Sequence, residues 1–263
     1  MKDRPIVFIN GLHRSGTTLL SRLVNAFPGV FIVEGGIRFP WIFLQVESEE
    51  TLTYPRDLER KGRLQIDLGK KIGNMAKFKA TLRDEIVVLA LAPEVENKIL
   101  AFVDAVDGSK SYRDTFRDLL ATLAGATGAS VVGTKHTHMS HYRTEVLNAF
   151  PEAKWIEIVR DPRGWYCSAK VSHPMRGALH AAWLWNKGYR TFAREHVSGA
   201  ARTLLITFED LIMRRSEALN ELARFIGLEF RASEEWLRNL GLVGNDGGVA
   251  WRSNSSYEKN SGQ

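Results

Sequence analysis

Residues 6–20 read IVFINGLHRSGTTLL. An apolar run, Ile6–Ile9, meets Gly11-x-x-x-x-Gly16-Thr17-Thr18, and a helical pattern follows. Strand, glycine-rich loop and helix in that order make a phosphate-binding loop, in which loop N–H groups and the positive end of the helix face one anion. A nucleotide triphosphatase ends this loop Gly-Lys-Ser/Thr, with the lysine on the outer phosphates. Here Thr17 takes the lysine's place, and the nearest cation, Arg14, lies inside the loop. The pattern predicts a phosphate-like anion that need not be ATP.

Other apolar runs suited to buried parallel strands lie at Val30–Val33, Val131–Val132, Trp155–Val159 and Leu204–Phe208. Helical patterns separate them: Thr17–Phe27, Ser111–Ala126 with an N-cap serine, Ser140–Phe150, a helix opened by Asp161-Pro162, an aromatic-rich stretch over 175–196, and shorter ones at 214–226 and 233–240. Alternating strands and helices predict an α/β fold, a P-loop-type three-layer arrangement with a central parallel sheet flanked by helices. Residues 47–110 break the rhythm and read as helical insertions over the cleft. The Gly/Asn/Ser-rich end, 241–263, reads as an ordered loop or a flexible tail. One domain over 1–263 accommodates all of this.

Net charge of +6 favours anionic ligands, but the basic residues are dispersed with no Lys/Arg tract, so nucleic acid is not an expected partner. The one cysteine, Cys167, excludes an internal disulfide and reads as a small packing residue. No apolar stretch reaches membrane-spanning length, so no membrane partner is expected. The first strand begins almost at Met1, leaving no room for a leader, and a cytoplasmic location is expected.

A second anion site is suggested by Lys154–Ser172, KWIEIVRDPRGWYCSAKVS. Arg160 stands at the carboxyl end of a strand, where ligands of open α/β sheets bind, and Ser168 falls on the second turn of the next helix. A guanidinium and a nearby hydroxyl can clamp an anion.

An R-S-G-T-T loop followed much later by V-R-D-P-R-x-x-x-x-S resembles the sulfotransferase superfamily, and within it the bacterial members related to the tyrosylprotein enzymes. The resemblance implies 3′-phosphoadenosine 5′-phosphosulfate (PAPS) as donor, adenosine 3′,5′-bisphosphate as product, and no metal. It assigns Arg14, Ser15, Gly16, Thr17 and Thr18 to the 5′-phosphosulfate, and Arg160 and Ser168 to the 3′-phosphate. It continues through TLLITFEDL (Thr203–Leu211), where Phe208 takes the place of a nucleotide-touching tyrosine. Near the end, Trp251 would pack on the adenine and Ser253 and Asn254 would reach a phosphate. Region 47–110 would then border the acceptor, and 241–263 would cover the nucleotide.

Sulfuryl transfer in line requires a base for the acceptor and a cation for the leaving oxygen. Glu34, ending a strand in GVFIVEGGIRF, stands where several sulfotransferase branches place a catalytic glutamate. Lys135, in VVGTKHTHMSH, matches the lysine of the tyrosylprotein branch, and Arg14 can share its task. His138, by analogy with cytosolic estrogen-type enzymes, is the rival base, with His136 second. Those histidines show no metal-site spacing. His13 could border the acceptor, and Arg38 reads as a surface arginine. The aromatic set Trp183, Trp185, Tyr189 and Phe192 has core or interface spacing. The acceptor, a small molecule, peptide or carbohydrate, and the oligomeric state are left open. A P-loop kinase lacks its Gly-Lys and any clear acidic Mg²⁺ ligand, Glu157 being the sole charge inside WIEIV. A non-catalytic binding module leaves Glu34, Lys135 and His138 without a purpose.

Overall fold

Five largely apolar runs form five strands: β1 (Ile6–Gly11), β2 (Val30–Glu34), β3 (Val131–Lys135), β4 (Ala153–Val159) and β5 (Thr203–Thr207), the last an edge strand that leaves Leu205 exposed. The structure, a computed structural model, describes residues 5–35, 37–49, 52, 66–87, 89, 91–137, 139–172, 177–196 and 200–238. The strands make one sheet of order β2-β3-β1-β4-β5, parallel throughout. The chain leaves β1 for the β2 side and crosses over it between β3 and β4. The crevice at the carboxyl end of β1 is therefore the switch point at which such sheets bind ligands.

Alternate β1 side chains build two cores. Val7 and Ile9 pack under α1 (Thr17–Asn25) and α10 (Arg215–Ile226). Ile6 and Phe8 pack under α2 (Trp41–Glu47), α3 (Met75–Val87), α4 (Pro93–Ala105), α5 (Tyr112–Thr127) and α6 (Arg143–Ala149). Helices on both faces complete three layers. On the second face Phe39 stacks on Phe116 with ring centroids 4.1 Å apart, and Phe116 is 6.3 Å from Phe8. Aromatic pairs of this kind add about 0.5–1.5 kcal/mol beyond their burial. A third, smaller cluster of Trp165, Ala169, Ala181 and Leu184 joins α7 (Pro162–Ser172) to α8 (Ala178–His196) beside Leu12, at the carboxyl edge.

Caps follow the sequence. Ser111 accepts from Asp114 N at 3.1 Å to start α5, and Asp161 accepts from Arg163 N at 2.8 Å to start α7. Three differences appear. Phe208 does not end β5 but is the first residue of α9 (Phe208–Met213), because Thr207 caps that helix through Asp210 N. The 47–110 region supplies two core helices, α3 and α4, whose Phe78, Leu82, Ile86, Ile99 and Val103 share the core of the second face. The apolar WIFLQV is α2, a short helix buried nearly all round that the sequence reading leaves unassigned. Short α11 (Glu234–Arg238) closes the described chain, and Trp251, Ser253, Asn254 and 241–263 as a whole lie outside the described residues.

Strands β1 and β3 approach closely at Gly133, where a Cβ would stand 1.9 Å from the Val7 carbonyl oxygen. Gly133→Ala is expected to cost about 1–3 kcal/mol through overpacking, read as a lower urea midpoint. Unchanged stability would show that the strands are not held so tightly there.

Candidate functional site

The β1–α1 connection turns through left-handed backbone twice, at Arg14 (φ 66) and Gly16 (φ 99). Ser15 N donates to the Leu12 carbonyl at 3.1 Å, closing the turn. Gly16 precedes α1 and supplies no side-chain cap to the first N–H groups of the helix, at the carboxyl edge of the sheet. A Cβ on Gly16 would stand 2.5 Å from Phe208 Cδ2, so only glycine fits there.

Phe208 carries the Arg160 guanidinium over its ring at 4.2 Å. Arg160 Nη1 donates to the Arg14 carbonyl at 3.2 Å, and Arg14 Nε donates to Ser168 Oγ at 3.2 Å. The structure thus gathers Arg14, Arg160, Ser168 and Phe208 into one cluster, whereas the sequence reading treats Arg14 and Arg160/Ser168 as two separate clamps. Burial, and then the like charge of Arg160, push the Arg14 guanidinium below its ordinary pKa. Arg160 Nε is buried with no hydrogen-bond partner among the described residues. An anion between the two guanidinium groups would answer both facts. The cluster is braced from α7 and α8. Trp165 Nε1 donates to the His13 carbonyl at 2.7 Å, and Trp185 Nε1 to the Arg160 carbonyl at 2.9 Å.

On the other side of β1, Glu34 and Lys135 end neighbouring strands in direct register. Glu34 accepts from Ser21 Oγ at 3.2 Å and from Arg22 Nε at 3.1 Å, both on α1. Burial lowers the Lys135 pKa; Glu34 opposes that shift, while the charges of Arg22 and Arg38 add to it. Arg38 is not the surface arginine expected: its Nε and backbone N–H donate to the buried Glu85 carboxylate of α3, at 2.9 Å and 3.3 Å.

His138 lies outside the described residues. His136 turns into the core, 1% exposed, with Nε2 2.7 Å from Thr134 Oγ1 and its ring 6.1 Å from Phe8. Burial, then Lys135 and Arg38, push its pKa down to about 3. A ring so placed does not reach an acceptor. Cys167 is exposed rather than packed. On α8, Phe192 is buried but Trp183 is 54% exposed, so the aromatic set divides between core and surface. Glu157 is buried and already accepts bonds from Asn10, Ser140 and Trp155, and so does not face a metal. Among the described residues, no group of three or more His, Cys, Asp and Glu is arranged to hold a metal ion, and no helix is long and apolar enough to cross a membrane.

A model of the Sulfotransferase family matches residues 5–232. The chain belongs to the sulfotransferase family. This sulfotransferase chain is 24% identical over 255 residues to Protein-tyrosine sulfotransferase 1 of Danio rerio, covering 95% of its own length and 60% of the relative's. Among solved structures, it resembles the sulfotransferase domain of the Synechococcus PCC 7002 olefin synthase, with a TM-score of 0.54, 20% identity, and 98% and 83% of the two chains covered. A second is the sulfotransferase domain from the curacin biosynthetic pathway, with a TM-score of 0.55, 16% identity, and 94% and 81% covered. These two likenesses establish the fold.

The neutral His136 ring sets an acid-side test of the sulfotransferase core. An unfolded histidine charges near 6.5, the buried one near 3. Its contribution to stability is therefore full above about pH 6.5 and declines as pH falls toward 3, by up to about 1.4 kcal/mol per pH unit. His136→Gln, which keeps a partner for Thr134, should flatten that slope in urea titrations. An unaltered slope would mean that His136 does not exclude protons.

Proposed function

We propose that this chain transfers a sulfuryl group from 3′-phosphoadenosine 5′-phosphosulfate to a hydroxyl or amine acceptor. The observation that carries the reading is the pair of guanidinium groups at the switch point, Arg14 and Arg160, one of them with a buried Nε lacking any partner among the described residues. Glycine-lined backbone beside two cations suits a ligand with more than one anionic group. Arg14, Ser15, Gly16, Thr17 and Thr18 would hold the phosphosulfate end. Arg160 and Ser168 would hold the 3′-phosphate, with Phe208 supporting the Arg160 guanidinium. The donor supplies the sulfuryl group and a stable leaving anion.

The chain's own residues supply the rest. Glu34, held on both oxygens by Ser21 and Arg22, takes the acceptor's proton as general base. Lys135, the next strand end in register, brings positive charge to the same edge, where a leaving oxygen gathers negative charge. Burial among apolar and paired groups strengthens that attraction relative to water. No residue is required to form a covalent bond. The tyrosine sulfotransferase relative makes a peptide tyrosine the first acceptor to try.

Adenosine 3′,5′-bisphosphate should raise the melting temperature strongly, by mass action on the folded state, and ADP with Mg²⁺ should not. The reverse ranking would point to a nucleotide triphosphatase. Arg160→Ala should weaken the bisphosphate far more than ADP, since ADP has no 3′-phosphate, and equal losses would remove Arg160 from that role. With labelled donor and a tyrosine peptide, Glu34→Gln should lower turnover by about 10²–10⁴-fold while bisphosphate affinity stays near that of the parent. Full turnover in that variant would transfer the base role elsewhere.

A further inference from the structure

Directly below the arginine cluster, donors from three parts of the chain converge on one buried carboxylate. Asn10 Nδ2 lies 2.9 and 3.0 Å from the two Glu157 oxygens, and Ser140 Oγ donates to Oε1 at 2.8 Å. Trp155 Nε1 donates to Oε2 at 2.8 Å. Asn10 Nδ2 also donates to Ser140 Oγ at 2.8 Å, and Asn10 Oδ1 accepts from Met139 N at 3.0 Å. Asn10, Met139, Ser140, Trp155 and Glu157 are all buried. Burial pushes the Glu157 carboxyl up; the bonds from Trp155, Asn10 and Ser140, and then the charge of Arg143, oppose that shift. The Arg143 guanidinium in turn lies 4.8 Å over the Phe192 ring of α8, the helix that also supplies Trp185 to the Arg160 carbonyl.

Each partner belongs to a segment that ends in the site. Asn10 is followed at once by Gly11 of the anion loop. Glu157 precedes Arg160 by three residues on β4. Met139 and Ser140 follow the segment that begins at Lys135. If packing alone were required, apolar groups of similar volume would serve at no cost in stability, because burying a carboxylate is expensive even when it is well paired. Directional bonds accomplish something that packing does not: they admit one relative placement of the joined segments.

We propose that Glu157 is a positioning residue, which through Asn10 and Ser140 holds the anion loop, the Arg160 strand and the turn beyond Lys135 in a single register. It touches no ligand itself. The proposal rests on the functional reading only for the ligand-binding arm of its test.

Glu157→Gln puts an N–H where the neighbours all donate, whereas Asn10→Asp together with Glu157→Gln restores a donor–acceptor pair. Amide hydrogen exchange, measured well below each variant's melting temperature, should rise about tenfold in Glu157→Gln at residues 12–16 and 139–142. That is the scale of one lost buried hydrogen bond. Amides of α10 should not change. Adenosine 3′,5′-bisphosphate affinity, by calorimetry, should fall about tenfold in parallel, and the double variant should regain most of both. Exchange that rises uniformly, or not at all, in a folded Glu157→Gln would overturn the proposal, as would a double variant no better than the single. Should Glu157→Gln not fold, Ser140→Ala decides by the same local exchange at 139–142. A parent protein that ignores the bisphosphate would defeat the functional reading, and exchange would then decide the positioning role alone.

Discussion

The turn between β1 and α1 governs the rest of the site. It needs two left-handed residues, Arg14 and Gly16, within three positions, and it packs against Phe208 with no room for a Cβ at Gly16. A non-glycine residue in that region costs on the order of 1 kcal/mol. In return, the Arg14 carbonyl faces Arg160, and the Arg14 side chain reaches Ser168 of α7. A loop set differently would separate these groups and leave two isolated cations in place of one cluster.

Like charges held together oppose folding unless something else confines them. Here the confinement is apolar and directional at once. Phe208 lies under the Arg160 guanidinium, and indole N–H groups of Trp165 and Trp185 donate to the carbonyls of His13 and Arg160. Beneath them the buried Glu157 carboxyl accepts bonds from Asn10, Ser140 and Trp155. The crevice is preorganised by backbone and buried side chains, which costs nothing at the moment of reaction.

The sheet was legible in the sequence because buried parallel strands read as continuous apolar runs, as in Ile6–Ile9 and Val30–Val33. The anion loop was legible because its glycines sit where a side chain cannot: Gly16 takes φ 99, and a Cβ on Gly11 would stand 2.5 Å from the Ile158 carbonyl oxygen. The helices α2 and α3 were harder. WIFLQV is buried nearly all round and shows no period, and α3 places Glu85 among its buried positions, where Arg38 answers it from 47 residues away. That pairing also explains why Arg38 read as a surface residue. The joint placement of Arg14 with Ser168 was beyond reach for the same reason, since 154 residues separate them. Glu157 did leave a trace: a charge inside WIEIV must find partners if the strand is central. Nothing local named Asn10 or Ser140 as those partners.

The two halves of the proposed chemistry are measured off one helix. Gly16 caps α1 at the anion loop, and Ser21 and Arg22, about 7.5 and 9 Å further along the axis at 1.5 Å per residue, hold the Glu34 carboxylate. Ser21 is tied back to the first turn, its Oγ standing 3.0 Å from the Thr18 carbonyl. The helix thus fixes the spacing between the loop and the proposed base, and the β2–β3 register fixes Lys135 beside Glu34. Under the proposed assignment the acceptor approaches along the carboxyl edge past Glu34. On that assignment selectivity among acceptors falls to whatever lines the approach, and the half-buried Arg38, paired with the buried Glu85, connects it to α3 and the helical layer of the second face.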